Sequence, residues 1–344
     1  MKSNGFSSIQ VLLLLLVLSL FSAGTGAGIS LTRSFFHRHE ALQTELETLR
    51  DEITALMVEL ENDPTPESDS MTDPVWDYIE EKSGDFRRCE LTDLSSRLNP
   101  NWLRTLFLER TDMKKFLLIG ITPDMIKERR AECGYELDIR SAYSELIDPE
   151  ALHTYFTPCS YLNVNTAYEF ALQGMYETLT GDSAGAARFH EYIAGALQEK
   201  RIISAADFAA AAGNDYKAVF PIISTLPEMN IHFIPEFLLE QVLLYPYGGE
   251  AIENNSALFN LLLSARMDRE ISPEELRGLI PADGLQERVF HHLGTKTWFW
   301  KVNIASERTA IEAIIVCVPA DSCSHTEYRY RLYSFSEVPG KKED

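Results

Sequence analysis

An uncharged apolar segment near the N-terminus constrains this chain more than any other feature. No charged residue occurs between Lys2 and Arg33, and residues 11–21 read VLLLLLVLSLF. About 20 mostly apolar residues are enough to cross the hydrocarbon core of a bilayer. The sequence therefore predicts membrane insertion, either by a signal peptide that is later removed or by an anchor that the mature protein keeps.

Two cleavage sites are compatible with this segment. Cleavage after the small residues Thr25–Ala27 would remove it as a secretory signal peptide. Cleavage after Gly5 would leave Phe6 as the new N-terminus and keep a transmembrane helix over 6–32, and the residues around this position resemble a type IV prepilin processing site. Pilins usually carry a glutamate five residues after the cut, which pairs in the bilayer with a neighbour's N-terminal ammonium because an unpaired membrane charge is costly. Here that position is Gln10.

The segment after the apolar run predicts a long amphipathic helix. From His39 to Asn62, apolar residues recur at spacings of four and three, which is typical of a helix with one apolar stripe. The stripe consists of Leu42, Leu46, Leu49, Ile53, Leu56 and Leu60. One interpretation is a rod that continues the membrane helix over 33–62. The other is a short coiled coil or a surface helix packed on its own domain.

The charge balance argues against a nucleic-acid partner. The chain carries 31 Lys and Arg against 52 Asp and Glu, a net charge of -21. A field of this sign repels an anionic polymer. No nucleic-acid partner is therefore expected.

Five cysteines follow an exported N-terminus, so disulfides are chemically possible. Cys317 and Cys323 flank VPADS, which we interpret as a turn between apolar strands, so the sequence predicts a hairpin disulfide between them. The pairing of Cys89, Cys133 and Cys159 stays open.

Beyond the rod, the sequence contains a tandem repeat. LNVNTAYEFAL at 162–172 aligns with MNIHFIPEFLL at 229–239, which pairs Asn163 with Asn230. Farther along, RIISAADF at 201–208 aligns with REISPEEL at 269–276, each with a capping-box pattern. Two copies of one helical unit are predicted, and Asn163, Asn165 and Asn230 are expected to cap and brace the first helix of each unit rather than to catalyse a reaction.

The repeat and the composition changes divide the chain. DPTPESDSMTDP is rich in proline, serine and acid, which is typical of a linker. The aromatic and β-branched runs near the C-terminus predict three antiparallel strands. The predicted parts are a leader (1–5), a transmembrane helix (6–32), a rod (33–62), a linker (63–75), the first part of a head (76–160), the helical repeats (161–283) and the closing strands (284–344).

Catalytic and metal motifs are missing from the sequence. It contains no GxSxG elbow, no P-loop, no HExxH, no dinucleotide-binding glycine pattern and no EF-hand loop. Two histidine pairs, His37 with His39 and His291 with His292, are interpreted as surface residues. No catalytic residue and no metal ligand is assigned, and no enzyme activity is expected.

The order of these features resembles the K-type minor pseudopilins of type II secretion systems, also called general secretion pathway protein K. The resemblance rests on Gly5-Phe6 with the non-glutamate Gln10, on LTDLSSRLNPNWL at 91–103 and on LNVNTA at 162–167. This class typically lacks the pilin glutamate, as expected for a tip subunit with no neighbour ahead of it.

Two departures from the K class are present. Its Asp-Trp-x-Asp stretch is absent where this chain has KERRAECGYELDIRS at 127–141, and His232-Phe233 stands where Asn-Thr is expected. The first departure weakens the transfer of calcium binding, so calcium is implied only by the resemblance and its ligands are not assigned.

The resemblance implies an α+β fold: a pilin-like transmembrane helix, an α+β pseudopilin head with an inserted all-α region of two tandem helix-hairpin-helix or SAM-like units, and a C-terminal antiparallel sheet. It implies that a prepilin peptidase cuts after Gly5 and methylates Phe6. The chain would then be a single-pass protein of the bacterial inner membrane with a periplasmic head.

The implied function is geometric and non-enzymatic. Such a subunit initiates or caps the pseudopilus that supports protein export across the outer membrane. The implied partners are the other minor pseudopilins, the major pseudopilin and the inner-membrane assembly platform.

A second function class competes with this one. LNVNTA also resembles membrane-anchored DNA receptors of the ComEA type, whose helix-hairpin-helix loops bind phosphates through backbone amides. The corresponding loops here, 180–185 and 247–250, each carry an acid where a phosphate would approach.

Overall fold

A computed structural model describes residues 5–85, 88–104, 109, 116–118, 120–133, 138–199, 201–220, 222–245, 255–280, 286–321 and 324–339. In the first part of the chain, only the side chains of Leu15, Leu16 and Ser19 and those from Thr32 onward are described. The side chains of 85, 286–287, 320–327 and 339 are also outside the description.

Helices and strands alternate along the chain in a mixed α and β architecture. The helices are α1 (Gly5–Glu61), α2 (Pro74–Asp85), α3 (Pro123–Cys133), α4 (Ile139–Tyr143), α5 (Pro149–Tyr155), α6 (Glu169–Thr180), α7 (Ser183–Gln198), α8 (Ala205–Ala212), α9 (Tyr216–Val219), α10 (Glu236–Leu244), α11 (Ser256–Asp268) and α12 (Pro273–Leu279). The strands are β1 (Arg88–Asp93), β2 (Leu162–Asn163), β3 (Ile223–Ser224), β4 (Met229–Asn230), β5 (Leu293–Gly294), β6 (Phe299–Ala305), β7 (Thr309–Asp321) and β8 (Ser324–Pro339).

The first helix is one continuous element of 57 residues. At 1.5 Å per residue it is about 85 Å long. The apolar stripe of its C-terminal part packs on the sheet and not on a second chain, because Leu46, Leu49, Ile53, Leu56 and Leu60 are all buried in one cluster with sheet residues. The N-terminal part lies beyond this contact, and all side chains from 32 to 40 are exposed.

Four strands form the antiparallel sheet in the order β1-β6-β7-β8. The three predicted C-terminal strands are confirmed, and β1 joins them by pairing with β6, so that Asp93 lies opposite Trp300. Trp300, Val302 and Ile304 alternate along β6 with less buried residues, which turns one face of the sheet toward α1. Strands β1 and β6 are thus neighbours in the sheet although about 200 residues of sequence, which contain α3 to α12, separate them.

The segment between α1 and α2 is packed against the protein core. Its proline-, serine- and acid-rich composition predicts a linker, and in this linker Ser68, Asp69 and Ser70 are each only 1% exposed. The Asp69 amide donates to the Thr295 carbonyl at 2.8 Å. The Ser68 hydroxyl donates to the Ile271 carbonyl at 3.0 Å. Because the polar atoms of this segment have internal partners, it can be buried despite its composition.

Three helical units lie between β1 and β6, one more than the repeat predicts. We define the first unit as 98–156, the second as 162–224 and the third as 229–294. The second unit has its own apolar core, while the first and third share one. Helices α3 and α5 belong to the first unit.

The capping boxes predicted in the second and third units are present. Ser204 accepts a hydrogen bond from the Asp207 amide at the start of α8, and the Asp207 side chain accepts from the Ser204 amide. Ser272 and Glu275 make the same reciprocal pair at the start of α12. The first unit has Asp148 at the corresponding position, where it caps α5 ahead of Pro149.

Among the residues that the structure describes, no helix is both long enough and apolar enough to cross a membrane. The predicted transmembrane helix over 6–32 falls largely on side chains outside the description. The backbone there is helical from Gly5 onward.

The four cysteines that the structure describes form no disulfide with one another, and Cys89, Cys159 and Cys317 are buried. Cys323 lies outside the described residues, so its disulfide with Cys317 stays a prediction. The turn predicted over VPADS does not begin before Asp321, because β7 continues through residues 318–321, and Cys317 pairs across the sheet with Tyr330.

Shortening a stripe residue of α1 tests the contact between helix and sheet. Leu49 has no exposed surface, so Leu49→Ala should lower the free energy of unfolding by about 2–5 kcal/mol through lost apolar burial and a cavity. Urea unfolding of the detergent-solubilised chain measures this change. The matched variant Val58→Ala lies on the same helix at an exposed position and should change stability by less than about 0.5 kcal/mol. Equal effects of the two variants would contradict the packing described here.

Candidate functional site: three buried asparagine turns

Each helical unit opens with a short turn that carries an asparagine at its second position. We call Leu98–Asn101, Leu162–Asn165 and Met229–His232 the three asparagine turns. The first residue of each pairs in parallel with the residue that closes the same unit: Leu98 with Phe156, Leu162 with Ile223 and Met229 with Leu293. In every unit, the start and the end of the chain segment are therefore held side by side.

The asparagine closes the turn in the same way in all three copies. The Oδ1 atoms of Asn99, Asn163 and Asn230 accept the backbone N–H two residues later, at 2.9, 2.8 and 2.9 Å. Their backbone carbonyls accept the N–H four residues later, at 2.8, 2.8 and 2.9 Å. All three residues are at most 5% exposed. The side chain thus satisfies a backbone donor that burial would otherwise leave unpaired.

The side-chain NH2 of each asparagine binds the segment that follows its unit. Asn99 donates to the Pro158 carbonyl at 2.9 Å. Asn163 donates to the carbonyls of Leu226 and His291, at 2.7 and 3.0 Å. In the first two turns the bonds connect a unit's entrance to its exit, and Asn163 also connects the second unit to the end of the third.

The third turn makes the corresponding bonds to the part of the protein that α1 and the four-stranded sheet form. Asn230 donates to the Asp69 carbonyl at 2.7 Å and to the Thr297 hydroxyl at 3.0 Å. Asp69 belongs to the segment after α1, and Thr297 precedes β6. The last asparagine turn therefore attaches the helical units to both ends of the helix-and-sheet part.

The fourth residue of each turn accepts a further hydrogen bond. Asn165 Oδ1 accepts the Ile203 amide at 2.9 Å, and His232 Nε2 accepts the equivalent Ile271 amide at 3.0 Å. His232 is therefore the chemical counterpart of Asn165, although the two side chains differ. In the first unit, Asn101 Oδ1 accepts the Tyr143 hydroxyl at 3.1 Å.

The sequence places Asn163, Asn165 and Asn230 at the starts of the first helices of their units, and the structure brings all three into the turns. They do not cap those helices. The N-cap positions of α6 and α10 are Tyr168 and Pro235, and neither makes a side-chain capping bond. The asparagines instead bond to their own turns and to neighbouring segments.

The two-unit prediction omits the first turn. Its signal is LNPN at 98–101, which matches LNVN at 162–165. The similarity ends there because the helices that follow differ in length and spacing. Only the shared bonds of Asn99 identify this segment as a third copy.

A small cavity of about 20 Å³ lies where the three units meet. It is lined by side chains that include Asn99, Trp102, Thr166, Glu228 and His292. The Thr166 hydroxyl donates to Glu228 Oε1 at 2.6 Å, and Glu228 Oε2 lies 3.9 Å from His292 Nδ1. A space of this size accommodates about one water molecule.

The interpretation of His291 and His292 as surface residues is wrong. His292 is 1% exposed and lies at this junction. Burial, followed by the charges of His292 and Arg288, lowers the pKa of His291 to about 4. His291 is half-buried, so neither histidine is a fully exposed surface residue.

Three carboxylates between α1 and α2 lie close together. Ligand atoms of Asp63, Asp69 and Asp73 are all within 4.8 Å of one another, and no other such group of potential metal ligands occurs in the described part of the chain. Burial raises the pKa of Asp69 to about 6 and that of Asp73 to about 7.

These carboxylates do not fit the calcium that the resemblance implies. Calcium takes six to eight oxygen ligands. Both oxygens of Asp69 are already bonded, to Lys296 Nζ at 2.7 Å and to the Thr297 amide at 2.6 Å. Both oxygens of Asp73 accept hydrogen bonds from Ser70. The group therefore joins the segment after α1 to the segment before β6.

The predicted processing site lies apart from the asparagine turns. Gly5 is the first residue of α1, at the end remote from the sheet, and the side chains of Phe6 and Gln10 are outside the description. Nothing in the structure tests the cleavage.

Comparison with known proteins gives little further information. No protein-family model and no curated protein matches the chain. A solved structure, the GspK-GspI-GspJ complex from the enterotoxigenic Escherichia coli type 2 secretion system, contains a chain that matches with 11% identity and a TM-score of 0.29. The match covers 90% of this chain and 99% of that one. We draw no conclusion about fold or function from a similarity this low.

Removing one asparagine amide tests the turns. Asn163→Ala would leave the Leu226 and His291 carbonyls and the Asn165 amide without their partner, so the free energy of unfolding should fall by about 3 kcal/mol. Urea denaturation measures the change. Asn260→Ala, at an exposed position of α11, is the matched control and should be nearly neutral. A neutral Asn163→Ala would show that these bonds do not stabilise the fold.

His232 should make stability depend on pH. Burial lowers its pKa from 6.5 to about 4, and the charge of Arg266 adds to this effect. The folded state thus binds the proton less tightly than the unfolded state, so the contribution of neutral His232 is complete above about pH 6.5 and is lost as the pH falls toward 4.

Replacing His232 by glutamine isolates this contribution. His232→Gln keeps an acceptor for the Ile271 amide but cannot be protonated, so it should remove at most about 3 kcal/mol of the stability loss between pH 7 and pH 4. Urea unfolding at several pH values measures it. His153→Gln, at an exposed position, should leave the pH profile unchanged. Identical profiles for wild type and His232→Gln would contradict the assignment.

Proposed function

We propose that this protein is a non-enzymatic, membrane-anchored minor pseudopilin of the K type, which initiates or caps a type II secretion pseudopilus. One observation carries the proposal. A single helix packs its C-terminal part on an antiparallel sheet, while its N-terminal part, from Gly5 to about Ala41, extends beyond the packed residues for about 55 Å. A projecting helix of this kind can pack laterally against the helices of other subunits.

The helical units supply the second half of the proposal. They lie between β1 and β6, at the end of the sheet where α1 ends, and they make this head much larger than the sheet alone. The bonds of Asn230 fasten them to the segment after α1 and to the segment before β6. A rigid, bulky head would prevent another subunit from stacking above it, which fits a tip position.

The partners of such a subunit would be the other minor pseudopilins, the major pseudopilin and the assembly platform. A prepilin peptidase would process it after Gly5, and it would stay in the inner membrane with its head in the periplasm. This part of the proposal depends on the sequence around Gly5 and on the uncharged segment before Arg33.

The hairpin that α6 and α7 form in the second unit argues against the DNA-receptor alternative. Gly181 ends α6 in a left-handed conformation, with φ of 70°, and Asp182 follows it. Glu177 accepts a hydrogen bond from Ser183 across the same loop. Two carboxylates thus stand at the loop whose amides a phosphate would need, and they would repel it. The loop at 247–250 lies outside the described residues.

The N-terminus of the mature protein tests the proposal directly. Intact mass and N-terminal sequencing of the protein recovered from membranes should show N-methylated Phe6. In the variant Gly5→Leu the leader should remain, and secretion should fall to the level of a deletion strain. A mature terminus near Gly28 would mean a removed signal peptide and would contradict the proposal, as would normal secretion and piliation without the gene.

A further inference from the structure

A short stretch of α1, before its packed part, combines exposed aromatic and basic side chains. All side chains from Thr32 to His39 are exposed, and Phe35 and Phe36 are 68% and 62% exposed. The two rings meet edge to face at a centroid distance of 6.2 Å, and Phe35 stacks on His39 at 6.3 Å. We call residues 32–39 the basic collar, because Arg33 and Arg38 belong to it.

Charge separates this collar from the rest of the chain. Residues 1–39 contain Lys2, Arg33 and Arg38 and no acid, so all 52 acidic residues of the chain follow the collar, beginning with Glu40. An anionic surface would repel the head and attract the collar. The collar is therefore complementary in charge to such a surface.

The position of the collar along the helix indicates that the anionic surface it meets is that of the membrane. The uncharged segment ends at Arg33, and a bilayer core takes about 20 helical residues. If the hydrocarbon core takes the helix from Val11, where the apolar run begins, to about Ser30, residues 32–39 emerge just beyond it, at the level of the headgroups. The first buried head residue, Leu46, lies about 15 Å farther along the axis from Phe36. The head thus leaves the collar free to contact lipid.

We propose that the basic collar binds anionic phospholipid headgroups at the membrane surface from which the head emerges. Guanidinium groups bind phosphate through paired charge-assisted hydrogen bonds. Aromatic side chains, including Phe in interfacial helices, pack at the membrane–water interface. Arg33 and Arg38 bind the phosphates while Phe35 and Phe36, which lie between them along the helix, pack among the headgroups, which fixes how far the helix protrudes. The inference rests on the proposed membrane anchor.

Lipid selection in nanodiscs tests the collar. The full-length chain is placed in nanodiscs of equal parts phosphatidylglycerol and phosphatidylcholine, and the lipids that remain bound are counted by native mass spectrometry. Each arginine should favour the anionic lipid by roughly fivefold. The double variant Arg33→Gln with Arg38→Gln should lose this selection. Arg329→Gln, which removes an exposed arginine of β8, should retain it.

The possible results separate this inference from the proposed function. A chain that does not enter nanodiscs overturns both the anchor and the collar. A chain that enters but binds the two lipids equally overturns the collar alone. If the double variant keeps its lipid selection but no longer co-purifies with pilin-like subunits, the collar is a protein interface and the lipid assignment is wrong.

Discussion

The structure depends on hydrogen bonds from buried asparagine side chains to backbone groups. In each asparagine turn, one amide side chain accepts a backbone N–H through its oxygen and donates to a carbonyl through its nitrogen. Such bonds are strong inside the protein because water is excluded, and an unpaired polar group there is costly. The three asparagines therefore determine where each helical unit opens and closes.

The last turn also holds the two ends of the long insertion between β1 and β6 close together. Strands β1 and β6 are neighbours in the sheet although about 200 residues separate them in sequence, so the ends of a very long insertion must be brought together. Asn230, the last of the asparagines, bonds to Asp69 and Thr297 close to the start of β6. The buried pair of Lys296 and Asp69, with the Lys296 Nζ atom also 5.2 Å from the centre of the Tyr328 ring, reinforces the same place. The helix-and-sheet part and the helical units are consequently joined at one place.

The long helix has two environments with different physical demands. Its C-terminal part is amphipathic and contributes one side of the core of the sheet. Its N-terminal part is uncharged up to Arg33 and is followed by exposed aromatic and basic residues. The collar lies between these two parts of the helix.

Several elements can be predicted from the sequence because the interactions that form them are local. The spacing of Leu46, Leu49 and Ile53 predicts the helix, the β-branched runs predict the last three strands, and Ser204 and Ser272 predict two capping boxes. The turns LNVN and MNIH were recognised as a repeat because their residues are contiguous. These features depend on periodicity and on short-range hydrogen bonds, which a sequence displays directly.

The remaining features depend on contacts between residues that are distant in sequence, so they follow from the three-dimensional fold. The stripe of α1 was compatible with a coiled coil or a packed surface helix until the sheet was seen to cover it. The acidic segment at 63–73 reads as a linker, and its burial required partners such as Thr295 and Lys296, more than 220 residues away. Likewise, His232 in the third turn occupies the position of Asn165 in the second, because its ring nitrogen and the amide oxygen of Asn165 accept equivalent backbone N–H groups. The sequence does not reveal this equivalence, because the two residue types differ.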